Sequence, residues 1–134
     1  MTIASFDDLL RAATEQPDPQ RLLFVFAAAG LEADATAEQR ARFEAGEGGT
    51  LTPLMCVDKL PGELVSFEAL VAEAGQFEQA WHIVFVAAMS GALGVSPTSQ
   101  QAEAPLQRMV DAIKSGSIGA FIPFDQQGQP VQFG

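Results

Sequence analysis

The first regular feature of the chain is an apolar stripe with helical spacing over residues 5–16. Its apolar positions fall at i, i+3, i+4 and i+7, which is the face that an amphipathic helix buries. Ser5 stands where it can cap this helix, and Asp8 lies three residues on, in the capping-box position. The segment "TAEQRARFEAG" at 36–46 opens with the same kind of capping pattern, so we predict a second helix there.

Two further helices are indicated by apolar residues at helical spacing, one at 62–75 and one at 100–115. The second of these contains Pro105, which removes a backbone donor and is unfavourable in a helix interior. We therefore expect its regular part to begin at about Ala102.

Uninterrupted apolar runs predict strands, and none of them alternates between apolar and polar residues. These runs are "RLLFVFAAA" at 21–29, "LTPLMCV" at 51–57 and "HIVFVAAM" at 82–89. Continuous apolar runs are typical of strands that are buried on both faces, as in a parallel sheet. Pro53 cannot donate to a ladder, so we expect it at the start of its strand or on a sheet edge.

The end of the chain carries two short apolar runs around "DQQG", in which Asp125 and Gly128 suit a type I turn. We predict a closing β-hairpin at 120–133. The complete order α-β-α-β-α-β-α-β-β indicates an α/β fold, a layered mixed sheet with helices on both faces. A length of 134 residues fits one domain that spans 1–134.

The acidic composition excludes some classes of partner. The formal net charge is -10 and the 7 basic residues are scattered, so neither nucleic acid nor an anionic membrane surface is an expected partner. The first residues, "MTIASFDDLL", lack the positive charge of a signal peptide. The longest apolar run, at 22–31, is about half as long as a membrane-spanning helix. These features predict a cytoplasmic protein.

The single cysteine, Cys56, is the first candidate for chemistry, and it excludes an intrachain disulfide or a multi-cysteine zinc site. In a parallel sheet, ligands bind at the carboxyl ends of the strands, which would gather Cys56, Asp58, Lys59 and Ser90 around one crevice. The alternative is that Cys56 packs in the core as a small apolar residue. A catalytic thiol needs a base, and the only histidine, His82, lies at the opposite end of its strand.

Two other segments give no site. With no second histidine, His82 lacks evident metal-binding partners, and we predict neither a metal site nor a cofactor. The loop "GEGGT" at 46–50 is similar to a phosphate loop, but it follows a helix, precedes a strand and lacks the lysine. We therefore assign no catalytic residue and leave enzymatic activity open.

Three phenylalanines, Phe121, Phe124 and Phe133, lie on the predicted hairpin. A short terminal hairpin of this composition either packs on its own sheet or presents an apolar edge to a partner. Both interpretations stay open, and the second makes these residues candidates for the interface of a homodimer or of a complex with another protein.

Segments along nearly the whole chain resemble a family of small proteobacterial proteins often named "ribonucleotide reductase subunit alpha". Among these segments are "PQRLLFVFA", "LTPLMCVDK", "WHIVFVAAMSG" and "APLQRMVDAIKSGSIGAFIPFD". The resemblance brings no functional motif and no site residue. A reductase catalytic subunit needs a radical-forming cysteine and a reducing cysteine pair inside a large barrel. A chain of 134 residues with one cysteine cannot be a complete subunit of this kind, although an association with that enzyme stays open.

Two functional hypotheses emerge from these observations. The leading one is a non-catalytic interaction or accessory module that binds itself or another protein, because no catalytic constellation is visible and the hairpin is rich in phenylalanine. The alternative is a small-molecule binder or minor enzyme that uses a crevice near Asp58 and Ser90.

Overall fold

A computed structural model describes residues 5–30, 36–44, 50–64, 66–75, 81–115 and 117–131. Helices and strands follow one another along these residues, close to the ranges that the sequence predicts. They are α1 (Phe6–Thr14), β1 (Gln20–Gly30), α2 (Ala37–Glu44), β2 (Thr50–Lys59), α3 (Phe67–Gly75), β3 (Ile83–Ser90), α4 (Ser99–Ser115) and β4 (Ile122–Phe124). A single 3₁₀ turn at Pro61–Glu63 precedes α3, where the sequence predicted the first turns of a longer helix.

The four strands form one open sheet in the order β2-β1-β3-β4, and every neighbouring pair is antiparallel. The expected parallel or mixed pairing is therefore wrong. A continuous apolar run is typical of a strand that is buried on both faces, and it carries no information about the direction of the neighbouring strands. Here β1 lies between β2 and β3, so these two strands run in the same direction without touching.

Helices cover both faces of the sheet, which confirms the predicted layered arrangement. On one face, termed the α1–α3 face, Leu22, Phe24 and Phe26 of β1 pack against α1 and α3. On the other, termed the α4 face, Leu23 and Val25 pack against α4. The side chains of β1 from Leu22 to Ala27 are fully enclosed, because successive residues of a strand point to opposite faces and each face has its own apolar cluster.

A cluster of aromatic rings fills the α1–α3 face. The ring of Phe6 lies 4.9 Å from that of Phe67, 5.6 Å from that of Phe124 and 6.1 Å from that of Phe24, measured between ring centroids. The Phe6 contacts with Phe67 and Phe124 are edge-to-face, the geometry that aromatic pairs favour. Ser5 caps α1 by accepting a hydrogen bond from the backbone of Asp8 at 3.3 Å, which confirms the predicted cap.

A bulge in β2 changes the expected orientation of its side chains. The register between β1 and β2 shifts between Phe26 and Ala27, so that Leu54 is the extra residue of β2. As a result, Leu54 packs on the α1–α3 face together with Met55 and Val57. Regular alternation along the strand would place Leu54 on the same face as Cys56, and the bulge moves it to the opposite face.

Helix α4 begins at Ser99, earlier than predicted, and contains Pro105 in its interior. Thr98 and Gln101 form a reciprocal capping box, with the Gln101 N–H 3.1 Å from Thr98 Oγ1 and the Thr98 N–H 2.9 Å from Gln101 Oε1. The cap stabilises the first turn, and Pro105 lacks the backbone hydrogen bond that an N–H at this position would donate to residue 101. No helix within the described ranges is both long and apolar enough to cross a membrane.

The predicted closing hairpin is present in part. The backbone of Gly128 donates to the carbonyl of Asp125 at 3.1 Å, and Gly128 adopts a φ of 77°, as a type I turn followed by a left-handed glycine requires. The first arm is β4, but the second arm within the described residues is reduced to a bridge between Phe124 and Pro130. The turn docks on α1, because the Phe6 N–H donates to the Gly128 carbonyl at 3.2 Å.

Candidate functional site

The carboxyl ends of β2 and β3 lie on either side of the start of β1. Asp58 stands opposite Leu23 in the β1–β2 register, and Ser90 stands opposite Gln20 in the β1–β3 register. The sequence prediction that the carboxyl ends of these two strands lie at the same end of the sheet is therefore correct in outline, although β1 between them runs in the opposite direction.

At this end of the strands lies a closed polar cluster, termed the Arg21 clasp, which is formed by Arg21, Asp58 and Ser99. The Arg21 Nε donates to Asp58 Oδ2 at 2.7 Å, Nη2 donates to Ser99 Oγ at 2.5 Å, and Nη1 donates to the Pro97 carbonyl at 3.1 Å. The Ser99 hydroxyl in turn donates to Asp58 Oδ2 at 2.6 Å. Arg21 is only 9% exposed, so the clasp joins β1, β2 and the start of α4 around a buried charge.

The environment of Asp58 stabilises its ionised form. Partial burial by itself raises the pKa of this carboxyl, but hydrogen bonds from Ser99 and Arg21 and the charge of the guanidinium outweigh it. The pKa of Asp58 therefore lies below its ordinary value. Because Asp58 is engaged by residues of its own chain, we interpret the clasp as a structural ion pair.

The four residues of the predicted crevice do not form one site. Cys56 and Asp58 lie on the α4 face, since they pair with Val25 and Leu23. Lys59 lies on the α1–α3 face, where its Nζ is 3.0 Å from a carboxylate oxygen of Glu73 on α3. Ser90 also lies on that face and accepts a hydrogen bond from the buried side chain of Gln20 at 2.9 Å.

Cys56 is exposed, and the interpretation of this residue as core packing is wrong. The reason is the strand order. In a central strand the same apolar run would be covered on both faces, but β2 is the outermost strand of the sheet. Exposure alone does not make Cys56 a site, since the only histidine, His82, precedes β3 and is separated from β2 by β1.

The outer edge of β2 is the most extended unpartnered feature of the described chain. Within the described ranges, β1 is the only strand that pairs with β2, so the hydrogen-bonding groups on its far side have no strand partner. The larger apolar side chains of β2 are all partly exposed, whereas those of β1 between residues 22 and 27 are buried. These partly exposed residues are Leu51, Leu54, Met55 and Val57.

The phenylalanines of the closing hairpin have different environments. Phe124 is fully buried in the aromatic cluster of its own sheet, so its proposed role at an interface is wrong. Phe121 is half-buried and packs against the cluster beneath α4. Phe133 lies outside the described residues. The hairpin therefore contributes mainly to the core of its own chain. The hypothesis of an interaction module has to rest on a different surface.

A groove of about 580 Å³ opens on the α4 face between β3, α4 and residues 117–121, and we term it the α4 groove. It lies beside the second half of β3, where Ala87 and Met89 are partly exposed, whereas Ile83 and Phe85 in the first half are buried against α4. Met89 and Phe121 line the groove, and Arg108 of α4 is the only charged residue among the described residues that line it. Sequence patterns could not reveal it, because it is bounded by three separate segments.

The chain matches no protein-family model, no curated protein and no solved structure. Among the described residues, no three histidine, cysteine, aspartate or glutamate side chains are grouped so that they could hold a metal ion. Function has therefore to be inferred from the geometry of the β2 edge and of the α4 groove.

Proposed function

We propose that the protein is a non-catalytic interaction module that pairs with a second copy of itself through the outer edge of β2. The observation that supports this proposal is a ten-residue edge strand with partly exposed apolar side chains and no strand partner on its far side within the described residues. Addition of a strand to such an edge is a common mode of protein recognition. Exposed edges of this kind otherwise promote aggregation.

A second copy is the occupant that the edge fits best. Two identical strands related by a two-fold axis pair antiparallel, and antiparallel pairing is what every neighbouring pair in this sheet uses. The strand also presents little free charge to a copy of itself. Asp58 is engaged by Arg21, and Lys59 is engaged by Glu73. The net charge of -10 therefore opposes association at other surfaces more than at this one.

The expected dimer is weak and concentration-dependent. Pairing of single edge strands buries less than the roughly 1,600 Å² of a standard stable interface. Pro53 and the bulge at Leu54 also limit how many backbone hydrogen bonds the edge can make. A micromolar dissociation constant is consistent with both features. The proposal includes a cytoplasmic setting, in which an exposed thiol such as Cys56 stays reduced.

The test is the molar mass in solution from micromolar to near-millimolar concentration, by light scattering after size exclusion. We expect the mass to rise toward twice 14.2 kDa. The double variant Thr52→Lys with Cys56→Lys places added positive charge at two exposed positions of β2 and should shift the dimer midpoint upward at least tenfold. The matched control Ala41→Lys with Ala104→Lys adds the same charge at exposed helix positions and should not.

Two results would count against the proposal. A wild-type mass that stays at 14.2 kDa over the whole range excludes the second copy as the partner. An equal loss of association in both double variants shows that general charge, and not the β2 edge, controls it. The resemblance to the proteobacterial family remains a prediction and contributes no residue to this proposal.

A further inference from the structure

We propose that the α4 groove binds a small anionic amphiphile, with its apolar body on β3 and its negative group at Arg108. This inference concerns the opposite half of the sheet from the β2 edge and does not rest on the proposed self-association. Its basis is the combination of a groove of ligand size, lined mostly by apolar side chains, with Arg108 as the single cation among the described lining residues.

The groove has the size and lining of a small-molecule site. Its volume of about 580 Å³ falls within the roughly 300–1,000 Å³ that such sites usually occupy. Its floor includes Leu23 and Met109, which are 2% and 3% exposed, so the base is a fixed part of the core. Ala87, Met89 and Phe121 form half-buried apolar walls that a ligand would cover.

Small residues on α4 keep the groove open. Pro105 and Ala112 line it from the helix, where longer side chains would reach across toward β3. Both are half-buried rather than fully packed. The space therefore depends on the small side chains on this face of α4, and it lies beside Ala87 and Met89, which are only partly buried.

Charge determines which class of ligand the groove favours. Arg108 lines the groove and makes no ion pair with any described residue. The nearest acid along the helix, Asp111, accepts a hydrogen bond from Gln107 at 3.1 Å. The net charge of -10 repels anions in general, and among the described lining residues Arg108 is the one that attracts an anion to the apolar wall. The same net charge repels an anionic membrane, so the ligand is a free small molecule and not a bilayer lipid.

The experiment uses octanoate as the probe and the methyl signals of labelled methionine as the readout. Met89 and Met109 line the groove, and Met55 packs on the opposite face of the sheet as an internal control. We expect saturable shifts at Met89 and Met109 with Met55 unchanged. Octanoate should bind more tightly than octanol, and octyltrimethylammonium should bind least.

Substitutions locate the anionic group and the apolar body separately. Arg108→Gln should weaken octanoate binding about tenfold, to the level of octanol, since a charge-assisted contact is lost. Lys114→Gln, which removes an exposed cation of α4 outside the groove lining, should leave the affinity unchanged. Ala120→Trp fills the groove from its exposed rim and should weaken octanoate and octanol alike.

Three outcomes overturn the inference. Shifts at Met55 as large as those at Met89 show non-specific association. Equal affinity for octanoate and octanol in the wild type removes the role of Arg108. Octanoate binding that survives Ala120→Trp in a folded variant places the ligand outside the groove.

Discussion

The Arg21 clasp allows a sharp prediction about stability. Its two charged residues are buried to different degrees, so removing one should cost more than removing the other. Asp58→Ala leaves the Arg21 guanidinium, on a side chain that is 11% exposed, with only Pro97 and Ser99 as partners. Arginine cannot discharge itself by losing a proton. Removing one member of a buried pair costs about 3–5 kcal/mol, and we expect the lower end, about 3 kcal/mol, because the Asp58 side chain is 20% exposed.

The reverse change is milder. Arg21→Met leaves the Asp58 carboxylate with the Ser99 hydroxyl and with access to water, and we expect a loss of about 1–2 kcal/mol. In the double variant Arg21→Met with Asp58→Ala, no unpaired buried charge is left in the clasp. Adding Arg21→Met to Asp58→Ala should therefore restore about 1–2 kcal/mol, although each change alone is destabilising.

The assay is urea unfolding followed by the fluorescence of Trp81, the only tryptophan. Trp81 is 5% exposed and packs on Phe26, so its emission should change on unfolding. A loss of 3 kcal/mol corresponds to a fall in Tm of about 10 °C for a chain of this length. A double variant as unstable as the sum of the two single variants would show that the pair is not coupled, and would refute this account.

The same variants test the pH dependence. A carboxyl whose pKa is lowered by folding contributes stability above its unfolded pKa, about 4, and loses it as the pH falls through the folded value. The difference in unfolding free energy between the wild type and Asp58→Ala should therefore be constant near neutral pH and shrink below about pH 4. A difference that does not change between pH 6 and 3 would contradict the assigned ionisation.

Three further predictions concern backbone geometry, each measured by urea or thermal unfolding. Thr98→Ala removes one half of the capping box with Gln101 and should lower the unfolding free energy by about 1 kcal/mol. An unchanged unfolding free energy would mean that the cap does not stabilise the helix. Leu93 is 98% exposed with a φ of 54° at the tip of a two-residue turn, so Leu93→Asn should stabilise by about 0.5–1 kcal/mol; a lower Tm would indicate an unseen contact of the leucine. Gly91→Ala would place its Cβ 1.9 Å from the Val95 carbonyl oxygen and should cost about 2 kcal/mol or more; a neutral result would show that this turn can move.

The sequence allowed good prediction wherever the signal was local. The cap at Ser5 and the buried run of β1 follow from spacing and composition alone, and both are present. The position of the turn at Asp125 was also predictable, because glycine three residues later supplies the conformation that the turn needs.

Properties that depend on strand order could not be predicted. The exposure of Cys56 follows from the edge position of β2, and no feature of "LTPLMCV" distinguishes an edge strand from a central one. The Arg21 clasp joins residues 37 positions apart in the chain. A lone arginine opening an apolar run is a signal that a carboxylate must lie nearby, but it does not say which one. The α4 groove is a gap between packed segments and has no sequence pattern at all.

The central place of β1 has a consequence for how the chain is made. This strand leaves the ribosome first among the four, yet its contacts with β3 join residues as far apart as Gln20 and Ser90, which are 70 positions apart. At synthesis rates of about 5–20 residues per second, the most apolar segment waits roughly 4–14 seconds for its second neighbour. During that interval, the apolar side chains of β1 that will pack beside β3 stay uncovered, and molecular chaperones have their longest opportunity to bind the nascent chain.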